Sequence, residues 1–310
     1  MVLRKSGRAA IMGKIQKGGT MFNQSVTLPN GIAMPVLGWG TWFIKDSRVA
    51  EALRQAVAIG YRHIDTAQGY RNERGVGEGV RICGVPRDKL FITSKVAAEH
   101  KSYEAAAESI DQSLKTMGLE YLDLMLIHSP QPWVDVNQSD NRYLAENRQV
   151  WKALEDALAV GKVRAIGISN FLESDIENLQ QTAAVKPMVN QILCHIGNTP
   201  TDLIMYCQKH GMVLEAYSPI AHGEALKNPA TGEMAQKYGV TIPQLCIRYC
   251  LQLGMVVLPK TENPDHMREN AMIDFVISDA DMAVLKTMER IKDYGEHSYI
   301  PVFGGKKPRT

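Results

Sequence analysis

The chain has 310 residues, 45% hydrophobic and 22% charged, with a formal charge of +2, an ordinary globular composition long enough for a barrel of roughly 250 residues plus extensions. Its basic excess lies in residues 1–20, where Arg4, Lys5, Arg8, Lys14 and Lys17 occur without an acid; Met21 onward carries −3 and offers nucleic acid no clustered basic face. No apolar run approaches the ~20 residues that span a bilayer, and five scattered cysteines without a CxxC pair suit a reducing, cytoplasmic compartment.

Residues 1–20 read as a disordered basic extension or a cloning remnant, ahead of a single domain over residues 21–310. Val26–Thr27 and Ile32–Ala33, joined by Leu28-Pro29-Asn30-Gly31, predict a hairpin with an Asn-Gly turn. From there strand-like runs and helical spacing alternate. Strands are predicted at Val36–Thr41, His63–Ala67, Leu90–Val96, Leu122–His128, Val163–Ser169, Met188–Leu193, Val213–Tyr217 and Met255–Leu258. Helices are predicted at Arg48–Ile59, Glu73–Ile82, Tyr103–Met117, Arg148–Val160, Asp175–Thr182, Thr201–His210, Ile242–Leu253 and Pro264–Ala271, several followed by a capping glycine such as Gly60 or Gly118. A last amphipathic helix, Asp279–Ile291, falls outside the eightfold repeat.

Regular βα alternation requires parallel strands with right-handed crossovers, in a closed barrel or an open sheet. An open dinucleotide-binding sheet would carry GxGxxG after its first strand, and the sequence has none. The predicted fold is therefore α/β, a (β/α)8 TIM barrel with an N-terminal β-hairpin and an extra C-terminal helix. Strand ends converge at one rim of such a barrel. Asp65, Lys95 and His128 each sit where a strand-like run meets a loop, and Tyr70 follows Asp65 by five residues.

Taken singly, each of the four has a plainer role. Asp65 could cap the next segment, Tyr70 could be a loop aromatic, Lys95 a solvated strand end, and His128 a satisfied core histidine. Lys95 also suits a Schiff-base aldolase. No metal-ligating pattern accompanies them, neither HExxH nor paired cysteines and histidines.

The run GYRHIDTAQGY from Gly60 to Tyr70, Lys95, LIHSP from Leu126 to Pro130, GKVRAIGISN from Gly161 to Asn170 and LPKT from Leu258 to Thr261 occur in the order and at the spacing of the aldo-keto reductases, which the chain resembles from about Val26 to Asn270. The likeness is to bacterial-type aldehyde or ketone reductases and 2,5-diketogluconate reductases. It implies an NAD(P)H-dependent enzyme that reduces a small-molecule carbonyl by hydride transfer, as a monomer or weak homo-oligomer. A subunit that binds NADPH but regulates a partner is the alternative.

In that family's pattern Tyr70 is the proton donor. Its phenol, with an ordinary pKa of about 10, needs a neighbouring cation; Lys95 supplies it and Asp65 holds Lys95 charged. His128 donates to the substrate oxygen. Ser169, Asn170 and Gln191 match the residues that bind the nicotinamide carboxamide, and Tyr217 the ring that stacks on it. Thr41 and Trp42 match the first cofactor and substrate contacts, and Ser218, Pro219, Ile220 and Ala221 the segment over the pyrophosphate. Lys260 and Thr261 match the pair at the 2′-phosphate, with Glu269 and Asn270 at the adenine.

His266 departs from the pattern by replacing an arginine, which predicts NADPH preference with appreciable NADH use. Trp42, Tyr70, His128 and Trp133 are the expected substrate walls, in a pocket made roomier by Ser129. The loop from Gln131 to Glu146 is expected to carry specificity, and the short stretch after Tyr299 to leave little tail over the site.

Overall fold

The computed structural model describes residues 21–305; the proposed basic extension, residues 1–20, lies outside the described residues. After a short turn, β1 (Ser25–Thr27) and β2 (Ala33–Pro35) pair antiparallel with Val26 opposite Met34. The connecting turn is closed by Leu28 N–H donating to Ile32 O at 2.8 Å. Gly31 takes the left-handed φ of 87° that its turn position demands. Asn30 Nδ2 then donates to Arg164 O at 2.9 Å, just before a barrel strand begins. The hairpin therefore plugs the N-terminal end of the barrel and leaves the opposite rim for a site.

Eight parallel strands follow in sequential order. They alternate with helices as β3 (Gly38–Gly40), α1 (Asp46–Ile59), β4 (His63–Asp65), α2 (Glu73–Ile82), β5 (Phe91–Val96), α3 (Tyr103–Met117), β6 (Leu124–Ile127), α4 (Leu144–Ala159), β7 (Ile166–Ser169), α5 (Glu173–Gln180), β8 (Val189–Leu193), α6 (Thr201–Lys209) and β9 (Val213–Tyr217). Then come α7 (Pro229–Tyr238), α8 (Ile242–Gln252), β10 (Met255–Leu258), α9 (Pro264–Ala271) and α10 (Asp279–Lys286). The barrel closes where Leu37 bridges Val257, supported by Val257 N–H to Val36 O at 2.9 Å and Gly40 N–H to Pro259 O at 3.1 Å. Residues of the eight barrel strands are buried on both faces, as a helix-wrapped parallel sheet requires, except the last residues of β8 and β9, Leu193 and Tyr217, which emerge half-buried at the rim.

Two predicted helix boundaries differ by about a turn, other element ends differ by one to three residues, and one helix lies outside the predicted set. α7 buries only Thr231 and Ala235 along its length, so its sequence carries little apolar periodicity; the chain starts it with an Asn228 side-chain cap and Pro229 in its first turn. α10 ends at Lys286, five residues short of the predicted Ile291, because the following chain leaves the helix and Ile291 N–H docks on Gly197 O at 2.8 Å. α4 starts at Leu144 rather than Arg148, directly after Tyr143 in a left-handed conformation. Among the described residues no helix is long and apolar enough to cross a membrane.

The outer layer is closely fitted at Gly77 on α2, where an added Cβ would stand 1.9 Å from Met117 O of α3. Ala normally gains about 1 kcal/mol over Gly inside a helix, but a backbone oxygen cannot step aside. Gly77→Ala is expected to destabilise the fold by about 1–3 kcal/mol; a urea midpoint equal to or above that of the parent would show that α2 and α3 can slide apart.

Candidate active site

Strand register delivers the candidate residues to one rim. Asp65 ends β4 beside Gly40 of β3 and Thr93 of β5; Ser169, Gln191 and Glu215 share a level across β7, β8 and β9. Tyr70 comes from the tight turn after β4, whose position is fixed from both sides. Asn72 Nδ2 donates to Thr41 O at 2.9 Å and Ile44 O at 3.0 Å, while its Oδ1 accepts from Thr66 Oγ1 at 2.7 Å. Gln68 Nε2 donates to Ser109 O and Ser113 Oγ, both at 3.0 Å, and its Oε1 accepts from Ala97 N–H at 2.8 Å. Such anchoring holds a phenol in place without help from a ligand.

The four residues are in fact neighbours. Lys95 Nζ, fully buried, donates to Asp65 Oδ1 at 2.7 Å, Thr66 O at 2.9 Å and Tyr70 OH at 3.3 Å. The rings of Tyr70 and His128 are 5.6 Å apart, edge to face. Burial works against the Lys95 charge, but Asp65 and Tyr70 more than offset it and hold the ammonium above its usual range. With three acceptors on a charged nitrogen, no lone pair is free for a Schiff base. The geometry thus turns against the aldolase alternative.

Burial pushes the Tyr70 phenol up from its ordinary value and outweighs the opposing pull of Lys95. Lys95 limits that upward shift, and Tyr70 keeps its proton at neutral pH. His128 is driven well below the ordinary histidine value, first by burial and then by Lys95, so its imidazole is neutral; its Nδ1 is buried without a protein partner.

Gln191 Nε2 donates to Asp65 Oδ2 at 2.9 Å and to Glu215 Oε2 at 3.1 Å, leaving its carbonyl oxygen as the group it can offer a ligand. Ser169 Oγ donates to Gln191 O at 2.9 Å. Asn170 Nδ2 donates to His128 O at 3.0 Å and Ser169 Oγ at 3.1 Å, and Tyr217 OH donates to Asn170 Oδ1 at 2.7 Å, which fixes the plane of the tyrosine ring.

Above this floor opens a cleft of about 550 Å³. Among the predicted residues its walls contain Trp42, Asp65, Tyr70, His128, Trp133, Ser169, Asn170, Gln191, Tyr217, Ser218, Pro219, Ile220 and Lys260. Lys95, Thr41, Ala221, Thr261, His266, Glu269 and Asn270 stand outside this lining, Lys95 fully buried behind Asp65 and Tyr70. Thr41 and Ala221 are fully buried beneath it, and Thr261 accepts from Trp39 Nε1 through its carbonyl at 2.8 Å. His266, Glu269 and Asn270 lie three and four residues apart on one side of α9, the first two exposed and the last buried. Lys260 Nζ lies 3.8 Å from Glu262, which also takes Arg48 at 3.1 Å.

One expectation about the substrate side needs correction, and two residues join the predicted walls. The C-terminal segment does reach the site: His297, Ile300, Pro301 and Val302 line the cleft, and Asn137 Nδ2 donates to Pro301 O at 2.6 Å. Ser129 is buried and outside the cleft lining; its hydroxyl accepts from Gln131 N–H at 3.3 Å, while Trp133 stands edge-on to His128 at 4.9 Å. Phe43 and His222 also form wall, with Phe43 stacked on Trp42 at 4.5 Å and His222 edge-on to it at 5.3 Å. Sequence offered one hint to these, histidines in loops without a core role. For Glu215 the signal was an acid inside the apolar strand Val213–Tyr217, which must be paired or protonated there.

Comparison with known proteins fits this geometry. Residues 34–290 match the model of the aldo/keto reductase family. Glyoxal reductase of Bacillus subtilis is 38% identical over 278 residues, which cover 89% of this chain and 96% of that protein. A crystal structure of an aldo/keto reductase from Brucella melitensis superposes with a TM-score of 0.79 at 33% identity, covering 86% of this chain and 97% of the other. The Bombyx mori aldo-keto reductase in complex with NADP does so with a TM-score of 0.78 at 28% identity, covering 88% and 95%.

Proposed function

This chain belongs to the aldo/keto reductase family of oxidoreductase enzymes, and from that premise we propose that it reduces aldehyde and ketone carbonyls to alcohols with NADPH, Tyr70 giving the proton. The observation that carries this is the contact of Lys95 Nζ with both Asp65 and Tyr70, at 2.7 and 3.3 Å, on the floor of the cleft. When bound, the reduced nicotinamide supplies the hydride.

The protein's part is positional and electrostatic. The neutral His128 imidazole and the Tyr70 hydroxyl both face the place of the carbonyl oxygen. As negative charge grows there, Tyr70 OH releases its proton to that oxygen, and Lys95 stabilises the phenolate left behind. Asp65 keeps Lys95 charged and oriented throughout. Because these groups interact strongly, their apparent pKa values belong to the cluster.

The same residues suit a dinucleotide. Tyr217, locked by Asn170, gives a flat face for the nicotinamide ring. Gln191 gives a carbonyl acceptor and Ser169 a hydroxyl for its carboxamide. Ser218 through His222 form a loop in which Ser218, Ala221 and His222 all have positive φ near 50°, a conformation uncommon outside glycine and kept where a site requires it. Lys260 at the cleft edge is a point cation for phosphate, with Thr261 beside it.

For substrate, a wall of Trp42, Phe43 and Trp133 with the neutral His128 favours small aldehydes and α-dicarbonyls, and the glyoxal reductase relative acts in the same sense. Steady-state NADPH consumption over a panel of aldehydes, α-dicarbonyls and keto sugars tests the whole assignment. A folded preparation that turns over none of them would remove it.

His266 carries the cofactor prediction. Without a fixed charge at that place, NADPH is expected to remain preferred over NADH by a modest ratio of kcat/KM. His266→Arg is expected to raise that ratio by about tenfold, the worth of one charge-assisted contact of about 1.4 kcal/mol. Equal or better kcat/KM with NADH in the parent enzyme, or an unmoved ratio in the variant, would overturn it.

A further inference from the structure

Behind Asp65 lies a second acid for which the mechanism above has no use. Glu215, on β9, is fully buried inside the barrel. Its Oε2 accepts from Gln191 Nε2 at 3.1 Å, and the same nitrogen donates to Asp65 Oδ2 at 2.9 Å. Its Oε1 has no hydrogen-bond partner; His63 Nε2 stands nearest, at 3.6 Å.

The charged and titratable groups around it are few. His63 and Asp65 approach from β4, Lys95 from β5 and Tyr70 from the turn after β4, while β10 contributes Met255, Val256, Val257 and Leu258, none of which titrates. His63 is fully buried between Pro35 O at 3.4 Å and Thr93 Oγ1 at 3.2 Å. Burial drives its pKa down to about 4, so it offers Glu215 no positive charge at neutral pH. Lys95 is already matched to Asp65. One ammonium therefore faces two carboxyl groups that hang on a single amide nitrogen, and a buried carboxylate with one bare oxygen is strongly disfavoured.

We propose that Glu215 is a positioning residue that works as a neutral carboxylic acid, holding Gln191 and through it Asp65 while keeping a second negative charge away from Lys95 and Tyr70. The inference rests on the reductase assignment for its kinetic consequence, though not for the proton itself. Burial, then the charge of Asp65, raise the carboxyl to about 8 against the opposing effects of Gln191 and Lys95. Ionised Glu215 raises the proton affinity of Tyr70 and makes it a poorer acid, so carbonyl reduction should fall as pH climbs through that region.

The experiment has two arms. Infrared titration of the resting full-length protein reads the carboxylic-acid C=O stretch without turnover: a band present at pH 7, lost near pH 8 and missing altogether from Glu215→Gln, is expected. In kinetics, Glu215→Ala should lose about tenfold in kcat at neutral pH through a loosened Gln191 and Asp65. Glu215→Gln, uncharged and still an acceptor for Gln191, should recover most of that loss and lack the alkaline inflection. No protonated carboxyl assignable to residue 215 at pH 7, or an inflection that survives in Glu215→Gln, would overturn the proposal. An inactive parent enzyme that still shows the band would instead count against the reductase assignment alone.

Discussion

Replacing Tyr70 by Phe is expected to lower kcat for carbonyl reduction by about 10²–10⁴-fold while leaving cofactor binding nearly intact. The substitution removes one oxygen and keeps the ring whose edge meets His128 and whose face lies 6.1 Å from Trp42. Lys95 loses one of three acceptors but retains Asp65 and Thr66, so the fold should weaken by only about 1 kcal/mol. Cofactor affinity, followed through quenching of the fluorescence of Trp42 and its neighbours, should change little because Tyr70 is not among the residues assigned to the dinucleotide. A variant with KM unchanged and kcat lost would place the hydroxyl's contribution in the transition state rather than in binding. Turnover within about threefold of the parent would instead take Tyr70 out of the proton-transfer step, since a positioned acid contributes far more than that.

How far such a site is legible in sequence depends on what delivers each residue. Asp65, Lys95 and His128 were legible because each ends an apolar run, and in a parallel barrel the strand end alone determines the rim on which a side chain appears. The strands themselves, buried on both faces, announce their existence as apolar runs but mark their ends poorly, which is why β3 shrinks to Gly38–Gly40 within a longer predicted stretch. Residues brought in by irregular chain were less accessible. Phe43, His222 and His297 reach the cleft from loops and a C-terminal segment whose course depends on long-range contacts such as Asn137 with Pro301. α7 escaped notice for a different reason, since a helix that buries two positions has no stripe to detect. Glu215 and His63 were visible as polar residues in apolar strands, yet only coordinates reveal that they share a wall with Asp65.

The buried ion pair predicts the largest effect on the protein itself. Lys95→Met is close in length and apolar, so it fills the space of the lysine stem, but it leaves the Asp65 carboxylate, only 3% exposed, facing Gln191 with no cation. Removing one partner of such a pair costs about 3–5 kcal/mol. The pKa of Lys95 is raised in the fold, so the pair's contribution is complete below the ordinary lysine value of 10.5 and is lost only as pH rises through the folded value. A urea titration at pH 7 therefore reads it in full. Adding Asp65→Asn to Lys95→Met removes the stranded charge, and the double variant is expected to recover more than half of the lost stability. It should recover none of the lost turnover, because Tyr70 then has no neighbouring ammonium to stabilise its phenolate. Additive stability losses in the two single variants and the double would mean that Asp65 and Lys95 are each held by other groups. In that event Lys95 would no longer account for the behaviour of Tyr70, and the proton donor would have to draw its support from elsewhere in the cleft.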